Sequence, residues 1–301
     1  MELRRSIHVK KNLTTGVSRR SSPWPFFIAA FGWSWLFWLP AALLGAGMDS
    51  AAGLVLLPLG MFGPMLAGIG FTYLTRDREG RRDYWARIVD FKRIRGKWYL
   101  AIFLFAPILT AVAALIDVLF GGNGGSWGEV IVGFLSEPWA IIPSVLFSSI
   151  IPFVEELGWR GYVLDRLQAR WSAVASGLIL GVFWSVWHLP MFFISGTYQQ
   201  GLGFGTPSFW LFMAGIVPLS VVFSWIYNNT GRSTLAVILF HSMVNFTGEL
   251  YAVTERADAL SNLLWFLAAV GVVAEWGART LSGRQGPAAT APRTRANQGL
   301  V

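Results

Sequence analysis

Residues 151–160 read IPFVEELGWR, and in this stretch two adjacent carboxylates, Glu155 and Glu156, follow a long apolar run. Arg160 comes four residues after Glu156, which places these two side chains on the same face of a helix. Charged groups inside a membrane are costly, and they usually face the interior of a helix bundle rather than lipid. The stretch therefore predicts a buried polar site on a membrane-spanning helix.

The composition supports a membrane location for the whole chain. Of the 301 residues, 54% are hydrophobic and only 13% are charged, whereas a soluble domain carries about 25% charged residues. We therefore predict an all-α, polytopic membrane helical bundle. The chain has no cysteine, which excludes disulfides, thiol nucleophiles and cysteine metal ligands.

Eight apolar runs approach the length of about 20 residues that a spanning helix needs. Tryptophan opens four of them, as expected for side chains that anchor a helix at the membrane interface. We predict eight transmembrane helices at residues 24–46, 52–75, 98–120, 139–157, 171–189, 208–227, 234–250 and 259–278. Glycines 63, 68 and 70 predict close helix packing in the second run.

The distribution of basic residues predicts the orientation. With the N-terminus in the cytoplasm, all but one of the 24 Lys and Arg residues fall in inner segments, the exception being Arg256. Both termini are then cytoplasmic, and the positive net charge indicates membrane topology rather than nucleic-acid binding. We divide the chain into a basic cytoplasmic tail (1–22), a transmembrane domain (23–279) with its core at about 139–250, and a tail (280–301) that we expect to be cytoplasmic and disordered.

Two of the three histidines, His188 and His241, also lie in apolar runs. His241, Asn245 and Glu249 follow each other at intervals of four residues, so they share one helix face. A polar stripe on an apolar helix faces protein or water. The alternatives are a packing histidine near the membrane surface for His188 and a polar packing seam for the stripe.

The two glutamates cannot have the same role, because adjacent residues on a helix point in different directions. Pairing of Glu156 with Arg160 predicts a structural role for Glu156 and leaves Glu155 free to face a cavity as a general base. The alternative is a plain interfacial charge cluster at a helix end, which the charges downstream make reasonable: Arg160, Asp165, Arg166 and Arg170.

Three motifs on three predicted helices, taken in order, resemble those of the CAAX protease and bacteriocin-processing family (CPBP, formerly Abi). That family pattern is EExxxR, FxxxH and then HxxxN or HxxxD. This chain has Glu155-Glu156-x-x-x-Arg160, Trp184-x-x-x-His188 and His241-x-x-x-Asn245. The second motif departs from the pattern, and we expect Trp184, in place of Phe, to be a wall residue that supports the site.

The resemblance implies an intramembrane endopeptidase of the type II CAAX prenyl protease kind. By that resemblance, Glu155 activates the attacking water, while His188, His241 and Asn245 line the site and Glu156 with Arg160 fixes the helix. Glu155, His188 and His241 can also hold Zn²⁺ as a three-ligand site. A metal-free site, in which His and Asn stabilise the oxyanion, is the alternative.

The substrate implied by the resemblance is a membrane-associated peptide or protein, such as a prenylated CAAX-type chain. We expect a multi-pass protein of a prokaryotic plasma membrane, in contact with lipid. Two other functions fit the same residues: a non-proteolytic membrane scaffold or immunity protein, and a proton-coupled transporter. The sequence has no inverted repeat, which counts against the transporter, and the small residues on helix faces permit a dimer without requiring one.

Overall fold

The computed structural model describes residues 22–126 and 133–282, which form helices joined by short connections. The predicted tails, 1–22 and 280–301, lie almost entirely outside these ranges. The helices are α1 (Trp24–Leu43), α2 (Ala51–Met61), α3 (Gly63–Thr75), α4 (Arg78–Val89), α5 (Gly96–Leu119), α6 (Ile141–Gly158), α7 (Leu164–Gln168), α8 (Ala173–Trp187), α9 (Tyr198–Leu202), α10 (Pro207–Asn229), α11 (Thr234–Leu250) and α12 (Glu255–Trp276).

Seven helical segments of the described chain are long and apolar enough to cross a membrane. They are Trp24–Leu43, Ala51–Thr75, Gly96–Leu119, Pro138–Gln168, Ala173–Phe193, Pro207–Asn229 and Glu255–Trp276. The remaining predicted run, 234–250, is helix α11, which is apolar but shorter, with 17 residues. These segments confirm the predicted all-α polytopic membrane bundle.

The fourth span continues well beyond its predicted end. The prediction stopped at residue 157 because the charges from Glu155 onward end the apolar run, but the helical segment runs from Pro138 to Gln168. A π-helical turn, Trp159–Val163, joins α6 to α7 within it. The helix continues because its charged side chains, Arg160 among them, are buried against partners inside the bundle rather than exposed to lipid.

Several helices begin directly after a residue whose side chain caps the first turn. Ser172 accepts a hydrogen bond from the backbone N–H of Ala175, and Ser233 accepts one from Ala236. Ser and Thr are favoured at this position because they satisfy one of the unpaired N–H groups of the first turn. These caps fix the start of α8, which is followed directly by His188, and of α11, which carries His241.

Glycines decide how closely α3 approaches α6. A Cβ atom on Gly68 would lie 2.6 Å from the carbonyl oxygen of Leu157 and 2.9 Å from Cα of Gly158. A Cβ atom on Gly63 would likewise collide with α1, since it would lie 2.5 Å from the carbonyl oxygen of Ala30 and close to the hydroxyl of Ser34. Gly70 has no atom within 4 Å of that position. The packing prediction is therefore correct for Gly63 and Gly68 and wrong for Gly70, which points away from the neighbouring helices.

Substitution of Gly158 by Ala should destabilise the bundle. The added Cβ would lie 2.6 Å from the carbonyl carbon of Pro64 and 2.8 Å from its Cβ, so α3 and α6 would have to separate. Overpacking of this kind costs about 1–3 kcal/mol, which thermal unfolding of the detergent-solubilised protein would measure. Gly70→Ala is the matched control and should be neutral or slightly stabilising. Equal unfolding temperatures for the two variants would contradict the packing argument.

Candidate active site

Glu156 and Arg160 form the predicted pair, and both are completely buried. Nη1 of Arg160 donates a hydrogen bond of 2.7 Å to Oε1 of Glu156, and Nη2 donates one of 3.1 Å to Oγ of Ser220. The guanidinium also lies over the rings of Trp184 and Phe223, with its central carbon 4.8 and 4.5 Å from the ring centres. Such cation–π contacts gain strength when they are desolvated, so four neighbours hold this charge.

Glu155 has a different partner from Glu156. Its carboxylate is buried, and Oε2 accepts a hydrogen bond of 2.6 Å from Nε1 of Trp184 on α8. We predicted a carboxylate that faces a cavity and a Trp184 that supports the site as a wall residue. The indole N–H of Trp184 supports it directly, because it reaches across from α8 and donates to one carboxylate oxygen of Glu155, leaving the other oxygen without a hydrogen bond among the described residues. Phe, the residue of the family pattern, has no N–H and cannot make this bond.

Trp184 also joins the two histidines. Its ring centre lies 6.2 Å from that of His188 and 5.2 Å from that of His241, with the second pair edge to face. The structure therefore brings together Glu155, Trp184, His188 and His241 from three helices. A role for His188 as only a packing residue near the membrane surface does not account for its position. Its ring is buried beside the same indole that donates to Glu155.

The hydrogen bonds of the two histidines determine which nitrogen is free. Nδ1 of His188 lies 2.8 Å from the carbonyl oxygen of Trp184, and Nδ1 of His241 lies 3.0 Å from Oε1 of Glu156. Because a carbonyl oxygen and a carboxylate oxygen only accept, Nδ1 carries the hydrogen in both rings. In its neutral form, each imidazole then presents a lone pair at Nε2.

Asn245 and Glu249 continue the predicted stripe on α11. Asn245 is half-buried one turn after His241, and its amide has no hydrogen-bond partner among the residues that the structure describes. Glu249 accepts a hydrogen bond of 2.6 Å from Oγ of Ser148 on α6. Contacts at His241 and at Glu249 therefore join α6 and α11 at two levels, with Asn245 between them.

Zn²⁺ was predicted to bind Glu155, His188 and His241. In the part of the chain described here, no three His, Asp or Glu side chains lie close enough together to hold a metal ion. One oxygen of Glu155 is occupied by Trp184, and Nδ1 of each histidine is occupied by its own acceptor. Oε1 of Glu155 and Nε2 of each histidine have no hydrogen bond among the described residues, so zinc binding by these three residues stays a prediction.

Asp165, one of the charges in the interfacial alternative, anchors a second polar cluster two to three turns after Glu156. Its carboxylate is paired with Arg87 at 2.9 Å, with Arg76 at 3.3 Å and with Arg232, and it accepts a hydrogen bond of 3.0 Å from Tyr227. Burial disfavours the charged form of Arg87, but Tyr227 and Asp165 outweigh this effect and raise its pKa. The buried site and the separate charge cluster are therefore both present. Arg160 belongs to the site, and Asp165 belongs to the cluster.

The surface helix α4 is attached directly to the backbone that carries Glu155 and Glu156. The hydroxyl of Tyr84 donates a hydrogen bond of 3.0 Å to the carbonyl oxygen of Leu157, and Nη2 of Arg87 lies 3.5 Å from that of Gly161. Burial raises the pKa of the Tyr84 hydroxyl well above its usual range. A π-helical turn leaves carbonyl groups without their usual helical partners, and such turns are frequent at functional sites.

The part of the site that comes from α10 was not predicted from the sequence. Ser220 and Phe223 both contact Arg160, but α10 carries no charged residue or histidine that would have marked it. The only available signal was a serine in the middle of an apolar run. Arg87 was missed because it is one of nine basic residues between Arg76 and Lys97, and nothing local distinguishes it.

The sequence of this chain is similar to those of known proteases. Residues 137–247 match the family described as "Type II CAAX prenyl endopeptidase Rce1-like", and this segment contains all three motifs. Over 261 residues the chain is 26% identical to CAAX prenyl protease 2 of Methanococcus maripaludis. The matched region spans 85% of this chain and 94% of that relative. The chain is therefore similar to the Rce1-like type II CAAX prenyl endopeptidases across the segment that carries its motifs, and this similarity supports a protease.

Proposed function

We propose that this protease is an intramembrane endopeptidase of a prokaryotic plasma membrane, and that it hydrolyses a membrane-associated substrate with water activated by Glu155. The observation that carries the proposal is the cluster of Glu155 with Trp184, His188 and His241 inside the bundle. Glu156 is a poorer candidate for the base, because its negative charge is paired with the Arg160 guanidinium and its Oε1 also accepts from Nδ1 of His241.

In the proposed reaction Glu155 removes a proton from water while the water oxygen attacks the carbonyl carbon of the scissile bond. Oε1 is the oxygen available for that proton, since Oε2 accepts the hydrogen bond from Trp184. The lone pair at Nε2 of His188 can accept a hydrogen bond from the same water and orient it. Glu155 then passes the proton to the leaving amide nitrogen as the C–N bond breaks.

The negative oxygen of the tetrahedral intermediate requires hydrogen-bond donors. Asn245 has a free side-chain amide one turn from His241 and can supply two N–H groups. His241 can supply a third from Nε2 when both of its ring nitrogens carry hydrogen, because Nδ1–H remains on the Glu156 carboxylate. Glu156 and Arg160 then position His241 and do not touch the substrate.

The names of the family and of the relative suggest the substrate class. CAAX prenyl protease 2 of Methanococcus maripaludis is named for prenylated CAAX chains. We propose the same chemical class for this protein: a peptide that is held at the membrane by a prenyl group and is cut near its C-terminus. A non-prenylated peptide of the same sequence should be cleaved much more slowly.

A cleavage assay tests the proposed function. Wild-type protein and Glu155→Ala, purified in detergent, would each be incubated with matched prenylated and non-prenylated CAAX peptides, and the products would be identified by mass spectrometry. We expect the wild type alone to cut, with the prenylated peptide preferred. Cleavage that survives in a Glu155→Ala protein of equal purity would rule out Glu155 as the base. A parallel incubation with a chelator decides the zinc prediction, since activity that persists argues for the metal-free site.

Trp184→Phe tests whether the indole N–H matters for the base. The change restores the family residue but removes the hydrogen bond to Oε2 of Glu155. Hydrogen bonds to charged groups are worth about 1.5–3 kcal/mol, so we expect kcat to fall by roughly 10- to 100-fold with little change in KM. Steady-state cleavage kinetics on the preferred peptide measure both constants.

Trp38→Phe is the matched control for that experiment. Trp38 is equally buried, and its Nε1 donates to the carbonyl oxygen of Leu57, away from the site. Both variants lose one indole N–H, so a purely structural effect should lower their unfolding temperatures alike. An unchanged kcat in Trp184→Phe would show that the bond to Glu155 is not needed for catalysis.

A further inference from the structure

Helix α4 and the turn after it form an exposed basic and apolar surface between two membrane spans. Tyr84, Arg87 and Ile88 make up its buried face. The opposite face carries Arg78, Arg82, Trp85 and Val89, spaced at four, three and four residues, so they form one exposed stripe. The stripe is basic in its first half and apolar in its second.

Many of the charges in this segment already have partners. Arg76 and Arg87 are paired with Asp165, while Arg93 is paired with Asp83 and Asp90. The side chain of Arg81 donates to the backbone carbonyls of Arg76 and Tyr73. Five exposed cations have no ion pair among the described residues: Arg78, Arg82, Lys92, Arg95 and Lys97.

Few acidic groups oppose these five cations. Glu79 is exposed on the same helix, Asp77 caps its first turn, and Asp90 caps the following turn and lies 3.6 Å from Arg93. Three exposed apolar side chains, Trp85, Val89 and Phe91, lie among the cations. Cations combined with exposed aromatic and aliphatic side chains are typical of helices that lie in a membrane interface.

We propose that this surface, residues 78–97, docks on the headgroups of anionic phospholipids. The segment leaves the membrane at the end of α3 and returns to it at the start of α5, so the headgroup layer is the nearest surface available to it. Phosphate groups complement the five unpaired cations, and the three apolar side chains can enter the boundary between headgroups and acyl chains. Because Tyr84 and Arg87 bind the backbone on either side of Arg160, the docked helix would also support the catalytic segment.

Thermal unfolding with defined lipids tests this proposal independently of catalysis. Delipidated protein in neutral detergent would receive phosphatidylglycerol, phosphatidylcholine of the same chain length, or inorganic phosphate. A lipid that binds only the folded state raises Tm, and we expect phosphatidylglycerol alone to raise it, by about 3 °C or more. The increase should shrink with added salt, because salt screens exposed charges.

Two matched variants locate the effect. Arg82→Gln/Arg95→Gln removes two cations of the proposed surface, whereas Arg170→Gln/Arg279→Gln removes two exposed arginines elsewhere. Each basic residue near an anionic surface contributes about fivefold to affinity, so the first variant should bind phosphatidylglycerol roughly 25-fold more weakly. Native mass spectrometry of bound lipid measures this directly, and the second variant should match the wild type.

Three outcomes would overturn the proposal. The first is an equal Tm increase with phosphatidylcholine, and the second is an equal increase with inorganic phosphate, which would indicate an ordinary anion site. The third is wild-type lipid binding by Arg82→Gln/Arg95→Gln. None of them bears on the role of Glu155, because no arm of the experiment depends on peptide cleavage.

Discussion

Glu155→Gln is expected to abolish peptide hydrolysis while leaving the bundle folded. Gln has nearly the same size, and its side-chain oxygen can still accept the hydrogen bond from Trp184. The amide cannot take a proton from water, so the general base is lost. Loss of such a base lowers the rate by roughly 10²- to 10⁴-fold, which single-turnover cleavage of the preferred peptide would measure.

Two further variants separate a catalytic role from a structural one. Glu275→Gln, at an exposed glutamate near the end of α12, should keep full activity. Glu156→Gln should instead lower the unfolding temperature, because Arg160, which is buried, would lose the one carboxylate that it is paired with among the described residues. If Glu155→Gln proved unstable and Glu156→Gln proved folded but inactive, the two roles would have to be exchanged.

Asp165→Asn is expected to cause the largest loss of stability. The carboxylate neutralises a cluster in which three arginines and the hydroxyl of Tyr227 surround one acid. Removing one partner from a buried ion pair costs about 3–5 kcal/mol, because the remaining charge stays buried without compensation. We expect a large drop in Tm in detergent, or failure to isolate folded protein.

A second substitution keeps this prediction testable even if Asp165→Asn does not fold. Arg232→Gln removes one of the cations that Asp165 neutralises, so the double variant should be more stable than Asp165→Asn alone. Asp90→Asn is the control, since Asp90 is half-exposed and its pair with Arg93 is long, at 3.6 Å. Additive effects of Asp165→Asn and Arg232→Gln would contradict the coupled cluster.

Much of this protein could be predicted from local sequence pattern. Apolar runs located the spans, because each spanning helix must satisfy its own backbone hydrogen bonds within a continuous apolar segment. The spacing of four residues predicted the contact of Glu156 with Arg160, since helix geometry alone brings such neighbours together. The stripe of His241, Asn245 and Glu249 on one face of α11 follows from the same periodicity.

The tertiary structure decided which helix faces meet and at what level. Trp184 lies 29 residues from Glu155, and His241 lies 85 residues from Glu156, so no local spacing relates the members of either pair. Periodicity gives the face of a helix but not its axial position against a neighbour, which here depends on close contacts such as that of Gly68 with Leu157. For this reason the sequence identified both glutamates as site residues, whereas only helix packing determined that Trp184 binds one of them and His241 the other.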